Sequence, residues 1–76
     1  MRFGEKIKEE RKKQNISTQT LAQACEISRS YLTLIENGKR LPGKKILPRL
    51  ASALGLDTTV VLNLYLEEVR EKLTPS

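Results

Sequence analysis

The residues best suited to chemistry lie in the stretch ISRSYLTLIENGKR, residues 27–40. If a helix begins after Ser28, its spacing turns Leu32 and Ile35 towards a core. A guanidinium beside two hydroxyl groups can form several hydrogen bonds, but it provides no nucleophile with an adjacent base. The pattern therefore favours binding over catalysis. Three such side chains face outward at the start of this helix: Arg29, Ser30 and Thr33.

Positive charge is concentrated in the same part of the chain. The net charge of the whole sequence is +5. Residues 1–49 hold 12 Lys and Arg against 5 Asp and Glu, a balance of +7, whereas residues 50–76 have a balance of −2. Such asymmetry is typical of a surface that binds a polyanion. The alternative is an ordinary solvated surface, because charge by itself does not separate the two.

The composition gives little support to other classes of function. The 76 residues include no histidine and one cysteine, and no glycine-rich phosphate loop is present, so we expect neither an enzyme nor a metal or other cofactor site. A single cysteine cannot form an internal disulfide, and no apolar run has the length of a membrane span or signal-peptide core. These features predict a cytoplasmic protein with no membrane or small-molecule partner. Cys25 is interpreted as a small core residue, with redox sensing as the alternative.

Apolar residues recur with helical spacing, and no stretch alternates with period two. The pattern predicts an all-α domain, small enough to bury only about 60–65 % of its unfolded surface. Ser17, Ser28 and Asp57 are predicted helix N-caps, and Asn15 and Gly38 are suited to the left-handed position after a helix. Five helices are predicted within the single domain 1–76: residues 3–14, 18–25, 29–37, 46–55 and 58–73.

The second and third predicted helices are short, and a tight turn separates them between Cys25 and Ser28. Two helices that cross closely need a small residue, which Ala22 supplies. These features predict a helix-turn-helix over residues 18–37, whose second helix inserts its N-terminal end into the major groove of DNA. Four apolar residues are suited to hold this unit to the domain: Leu21, Ile27, Leu32 and Ile35.

The segments TQTLAQACEISRSYLTLIENGKR and LPRLASALGL resemble the Cro/C1-type helix-turn-helix (XRE-like) family of phage repressors and bacterial transcriptional regulators. The resemblance covers roughly residues 3–66. It implies a compact five-helix bundle like the DNA-binding domain of a phage repressor. It also implies a homodimeric repressor or autoregulator that binds double-stranded DNA at an inverted-repeat operator.

By position, the resemblance implies a set of residues that read base edges in the major groove. An arginine can bind O6 and N7 of guanine bidentately, which contributes about 1–3 kcal/mol of discrimination. Hydroxyl groups are less selective, and a threonine methyl can contact a thymine methyl. Alternatively, Arg29 contacts a phosphate or is merely solvated, and Leu34 fills the core. The implied base-reading residues are Arg29, Ser30, Thr33 and Leu34.

A second set of residues is implied to bind DNA phosphates. The start of the second helix offers free amides and the positive end of the helix dipole. The loop KRLPGKK, residues 39–45, is rich in cations. The alternative is a solvated basic loop, although so many like charges favour an anionic partner. The implied phosphate-binding residues are Thr18, Gln19, Asn37, Lys39, Arg40, Lys44 and Lys45.

Two further expectations come from the resemblance. In the family, the positions of Arg11 and Glu36 often form a largely buried ion pair between the first and third helices, and its role is mainly structural. Sequence patterns alone would treat both residues as surface charges. Glu26 occupies a turn position where the family often has glycine. If the backbone there is left-handed, the side chain costs about 1–2 kcal/mol.

The last predicted helix, TVVLNLYLEEVREKL, is apolar around most of its circumference at its start. Val61, Leu64 and Tyr65 are expected to face the core. A second stripe follows the 4-3-4 spacing of a coiled-coil seam, and we expect it to pair with its copy in a homodimer. The alternative is that the stripe packs on the first helix, over Phe3 and Ile7. The stripe consists of Leu62, Leu66, Val69 and Leu73.

Two other functions share the same fold. The chain could be an antitoxin or protein-interaction module whose C-terminal helix binds a partner protein. It could also be the DNA-binding part of a longer ligand-responsive regulator. The first of these is distinguished from a homodimeric regulator by the partner of the last helix. In a homodimeric regulator, that helix associates with its own copy.

Overall fold

The computed structural model describes residues 3–73 and forms five helices with no strand in that range. The prediction of an all-α five-helix bundle is therefore confirmed. The first four predicted helices were each one residue too long at the C-terminus, a difference within the fraying of helix ends. Met1, Arg2 and residues 74–76, which the predicted domain included, lie outside the described residues. The helices are α1 (Phe3–Lys13), α2 (Thr18–Ala24), α3 (Arg29–Glu36), α4 (Ile46–Leu54) and α5 (Thr58–Leu73).

Short polar side chains begin three of the helices, as predicted. Ser17 Oγ and Ser28 Oγ each accept a hydrogen bond of 3.0 Å from the amide three residues further along the chain. Asp57 Oδ1 accepts one of 2.8 Å from the amide two residues further along. Each contact satisfies an amide that has no partner within its own helix. These caps fix where α2, α3 and α5 begin.

Left-handed residues follow the first four helices, and three of them are asparagine or glycine. Asn15, Gly38 and Gly55 have φ angles of 57°, 74° and 68° and come after α1, α3 and α4. Asparagine and glycine tolerate this conformation better than other residues. The predictions for Asn15 and Gly38 are therefore confirmed. The reversals let five short helices fold back on one another within a bundle that measures 35 × 24 × 22 Å.

The core draws apolar side chains from all five helices. Leu64 and Tyr65 of α5 are half-buried against it, and Val61 is the one fully buried apolar residue of that helix. None of the helices described over residues 3–73 is long and apolar enough to cross a membrane. The fully buried apolar residues are Phe3, Ile7, Leu21, Ala22, Cys25, Leu32, Ile35, Leu47, Leu50, Ala51, Leu54 and Val61.

A glycine allows α1 and α3 to approach closely. A Cβ added to Gly4 would collide with the backbone carbonyl oxygen of Ile35 and would lie 2.8 Å from that of Glu36. Because both atoms belong to the backbone, no side-chain rotation could relieve the clash. Gly4 therefore sets the distance between the N-terminal helix and the end of α3.

Candidate nucleic-acid interface

The turn between α2 and α3 gives the helix-turn-helix its geometry. Glu26 has a φ of 58°, so the turn is left-handed at the position where the family often has glycine. The amide of Ile27 donates to the carbonyl oxygen of Ala22 at 3.0 Å and closes the turn. The side chain of Glu26 is exposed, so it meets no packing clash and costs only about 1–2 kcal/mol of backbone strain.

The interior side of the turn is fixed by packing and by a long side chain from α4. Ala22 and Cys25 are both buried in the core. Arg49 Nη1 donates to the carbonyl oxygen of Cys25 at 3.3 Å. Burial raises the pKa of the Cys25 thiol, which keeps the group protonated and poorly reactive at neutral pH. Cys25 is therefore a core residue.

The exposed start of α3 holds the side chains predicted to read bases. Arg29, Ser30 and Thr33 are exposed, and we call these three residues the recognition face. Among the described residues, no carboxylate forms an ion pair with Arg29. Thr33 Oγ1 donates to the carbonyl oxygen of Arg29 at 3.0 Å, so its lone pairs and methyl group remain free for a ligand. Leu34 is 38 % exposed rather than buried in the core.

Residues 38–45, which we call the basic loop, follow α3 directly. Lys39, Arg40, Lys44 and Lys45 are all exposed there. Within residues 3–73, none of these four cations forms an ion pair with a carboxylate. Cations that have no intramolecular partner are free to neutralise the phosphates of a nucleic acid, which then releases its condensed counterions.

The cations of α1 are different, because several of them have acidic partners. Lys6 Nζ lies 3.1 Å from Glu10 Oε1, and Lys13 Nζ lies 3.6 Å from the same oxygen. The hydrogen bond from Lys6 lowers the pKa of Glu10, and the same contact raises the pKa of Lys6. The exposed positive charge of α1 is thus partly neutralised within the helix, whereas that of the basic loop is not.

The remaining predicted phosphate ligands lie at helix ends. Thr18 and Gln19 occupy the first two positions of α2, where Thr18 is half-buried and Gln19 is exposed. Asn37 is exposed and caps the C-terminus of α3. α2 has no acidic residue in its first turn, so nothing there opposes an approaching phosphate.

Arg11 and Glu36 form a bidentate ion pair between α1 and α3. Arg11 Nε donates to Glu36 Oε2 at 2.7 Å, and Arg11 Nη2 donates to Glu36 Oε1 at 3.0 Å. The residues are only 8 % and 5 % exposed. Arg11 Nη1 also donates to the carbonyl oxygen of Ile16 at 2.9 Å. The guanidinium therefore holds three segments together: α1, the α1–α2 connection and the end of α3.

Several positioning contacts were missed from the sequence. Glu68 is buried, and its Oε1 accepts a hydrogen bond of 3.0 Å from the amide of Phe3. Gln14 Nε2 donates to the carbonyl oxygen of Leu54 at 2.7 Å. The partners are 65 and 40 residues apart in the chain. No local pattern signals such pairs, because helical periodicity describes only neighbours within about two turns.

Most of the predicted α5 stripe is open to solvent. Leu62, Leu66 and Leu73 are 41 %, 47 % and 78 % exposed, whereas Val69 is half-buried. The alternative that this stripe packs on α1 is therefore wrong for the three leucines. Phe3 is instead covered by Tyr65, whose ring meets it edge-on with centroids 6.1 Å apart.

An apolar groove runs beside the exposed leucines, between the start of α4 and the first half of α5. Large contiguous apolar patches on the surface of monomeric proteins often mark sites of interaction with other proteins. The groove and the stripe together offer a surface suited to an apolar partner. The groove is lined by Lys44, Leu47, Pro48, Thr58, Leu62, Tyr65 and Leu66.

Fold and site together define a helix-turn-helix DNA-binding domain. The model of the Helix-turn-helix family matches residues 7–61, and the chain belongs to this family, in its Cro/C1-type branch. Its members are DNA-binding transcription regulators and controller proteins, not enzymes. The match covers α2, α3 and α4 completely, together with parts of α1 and α5.

Individual relatives agree with this assignment. The chain is 37 % identical over 70 residues to the ImmF control region 10 kDa protein of Bacillus phage phi105, covering 92 % of this chain and 78 % of that protein. The restriction-modification controller protein C.AhdI of Aeromonas hydrophila has a similar structure, with a TM-score of 0.73, 30 % identity and coverage of 78 % and 89 %. SinR, a master regulator for biofilm formation solved in complex with DNA, gives a TM-score of 0.71, 28 % identity and coverage of 79 % and 97 %.

Proposed function

We propose that this protein is a sequence-specific repressor or autoregulator that binds an inverted-repeat operator in double-stranded DNA as a homodimer. One observation carries the proposal. The recognition face is followed in the chain by the basic loop, whose cations have no carboxylate partner among residues 3–73, and both are held by a braced helix-turn-helix. Such an arrangement can read bases and bind phosphates at the same time.

Base reading is assigned to the recognition face and Leu34. Arg29 is exposed and has no carboxylate partner in the described part of the chain, so its guanidinium is free to bind O6 and N7 of a guanine. The hydroxyl group of Thr33 donates its hydrogen bond to the carbonyl oxygen of Arg29. Its oxygen therefore remains as an acceptor for a cytosine or adenine amino group. Ser30 can donate or accept. Leu34 is exposed enough to contact a thymine methyl.

Phosphate binding is assigned to residues that flank the recognition face in the chain. The cations of the basic loop supply most of the electrostatic affinity, because each phosphate that they neutralise releases a counterion. Thr18 and Gln19 at the start of α2 and Asn37 at the end of α3 add neutral hydrogen bonds. Neutral contacts of this kind fix the orientation of the protein on the duplex without reading its sequence.

The homodimer is assigned to the α5 stripe. Leu62 and Leu66 lie beside the apolar groove between α4 and α5, so a second copy could bury both leucines and the groove in one contact. A twofold axis at this contact would relate the two recognition helices of the dimer. Dimers of this kind bind two half-sites whose centres are about 34 Å apart. Regulation would follow from occupancy of promoter DNA, with no bond made or broken.

Selection of bound sequences from a random duplex pool, at about physiological salt, tests this function. We expect enrichment of an inverted repeat whose half-site centres are about one helical turn apart. Enrichment of no motif, with binding that disappears as salt rises, would contradict the proposal and would mean that the basic surface binds DNA without sequence preference. A single half-site would contradict the homodimer, and the α5 stripe would then be available to a different protein.

A further inference from the structure

The basic loop is attached to the recognition helix by one aromatic side chain. Tyr31 lies in the first turn of α3, between the residues of the recognition face, and is half-buried. Its hydroxyl oxygen accepts a hydrogen bond of 3.3 Å from the amide of Gly43. Its ring lies under the guanidinium of Arg40, with 5.8 Å between Arg40 Cζ and the ring centroid. Tyr31 therefore contacts the loop on both sides of Pro42.

The two contacts with Tyr31 lie in two different charged segments of the loop. Arg40 belongs to the first pair of cations and Gly43 immediately precedes the second pair, Lys44 and Lys45. Pro42 is buried between them, so the middle of the loop is held by packing. The two contacts with Tyr31 hold the charged segments on either side of that anchor.

We propose that Tyr31 is a positioning residue for DNA recognition, which holds the basic loop in a fixed register relative to the recognition face. The inference rests on the proposed DNA binding. Tyr31 acts through the loop and does not itself contact DNA. With the loop already ordered, base contacts by α3 and phosphate contacts by the loop form together without an added cost of ordering.

Loss of the contacts between Tyr31 and the basic loop should affect the binding of specific and of non-specific DNA differently. A specific complex requires the base contacts and the loop contacts in one register. A non-specific complex is mainly electrostatic and tolerates a mobile loop, because its phosphate contacts require no fixed register. Freeing the loop should therefore reduce the preference for the operator and leave the number of phosphate contacts unchanged.

The test compares Tyr31→Phe with the unchanged protein on the operator obtained by selection and on a random duplex. Phenylalanine keeps the ring under Arg40 and removes only the acceptor oxygen. We expect operator affinity to fall about three- to tenfold, as for the loss of one neutral hydrogen bond. Affinity for random duplex and the salt slope should stay unchanged, and the Gly43 amide should exchange with solvent faster in the free variant.

Ser52→Ala is the matched control. It also removes one hydroxyl group, from an exposed residue of α4 that lies outside the recognition face and the basic loop. We expect its operator affinity and its Gly43 amide exchange to match those of the unchanged protein. A loss like that of Tyr31→Phe would overturn the inference, because it would show that removal of any hydroxyl group has this effect.

A double-mutant cycle distinguishes positioning from direct contact with DNA. In a Lys44→Ala, Lys45→Ala background, Tyr31→Phe should have little further effect, because the segment that it positions no longer binds phosphate. A full additive loss in that background would overturn the inference, and so would unchanged operator affinity of Tyr31→Phe alone. If the unchanged protein selects no operator, the proposed function fails first and this inference fails with it.

Discussion

The recognition region, residues 17–45, and the C-terminal helix α5 are built in contrasting ways. The recognition region exposes an arginine, hydroxyl groups and loop cations that have no carboxylate partner within residues 3–73. Its short helices are fixed by two serine caps, a buried ion pair and a close helix crossing. α5 exposes leucines instead. It has one fully buried apolar residue, Val61, and is tied to α1 by one buried hydrogen bond and one aromatic contact.

The contrast follows from the interactions that each region is proposed to make. Hydrogen bonds to base edges are directional, so the donors must be in place before DNA arrives, or ordering them would consume the binding energy. Burial of apolar surface is not directional, and its free energy depends mainly on area. An apolar seam can therefore function without donors that are held in one fixed direction.

Breaking the ion pair that fixes α3 to α1 should have the largest effect. Arg11→Met would leave the Glu36 carboxylate buried without its partner, and we expect a loss of about 3–5 kcal/mol in the free energy of unfolding. Urea denaturation followed by circular dichroism measures this loss. The control is the double variant Arg11→Met with Glu36→Leu, which should recover much of it, because no charge is left stranded. A double variant less stable than Arg11→Met would show that the stranded charge is not the cause.

Changing one leucine of α5 should disrupt association and spare the fold. Leu66→Gln removes an apolar side chain from each subunit, so the homodimer should lose about 3 kcal/mol and its dissociation constant should rise about a hundredfold. Sedimentation equilibrium measures this constant. Glu71→Gln introduces the same residue about 140° around the helix and should leave association unchanged. Equal behaviour of the two variants would place the interface elsewhere.

Arg29→Ala should reduce specificity at one base pair of each half-site. We expect a loss of about 1–3 kcal/mol on the operator, little change on random duplex, and an unaltered salt slope. Fluorescence anisotropy titrations on both duplexes at several salt concentrations provide the measurement. Arg70→Ala, which removes an exposed arginine from α5, should change neither affinity. Equal losses on operator and random duplex would identify Arg29 as a phosphate ligand only.

Lys39→Ala should have the smallest effect on operator preference. The variant should bind all sequences more weakly by the same factor, and the salt slope should decrease by about one unit for the lost phosphate contact. The same titrations report this slope. Lys72→Ala on α5 is the charge-matched control and should keep the original slope. A Lys39 variant with an unaltered slope would mean that this lysine is solvated in the complex.

Local chemistry predicted the parts of the fold that depend on neighbouring residues. Ser17 and Ser28 cap helices because their oxygens reach amides three residues away, and Asn15 and Gly38 reverse the chain because they tolerate positive φ. These positions are readable from the sequence. The exposure of the α5 leucines was likewise expected, since the spacing of that helix leaves more apolar residues than one buried side can hold.

Contacts between distant segments could not be read in this way. Glu68 is buried because it accepts the amide at the start of α1, and Gly4 is required because α3 lies against it. The contact between Tyr31 and Gly43 likewise depends on the course of the basic loop. The ion pair of Arg11 and Glu36 was expected only through the resemblance to the family, because sequence spacing would have placed both charges on the surface.

The central claim is that two recognition helices, related by a twofold axis, read one operator. The most direct test measures affinity for operators in which the spacing of the selected half-sites is altered. Insertion of about five base pairs turns one half-site to the opposite side of the duplex. We predict that affinity then falls to that of a single half-site. Affinity that is independent of spacing would contradict a twofold dimer that reads bases with α3.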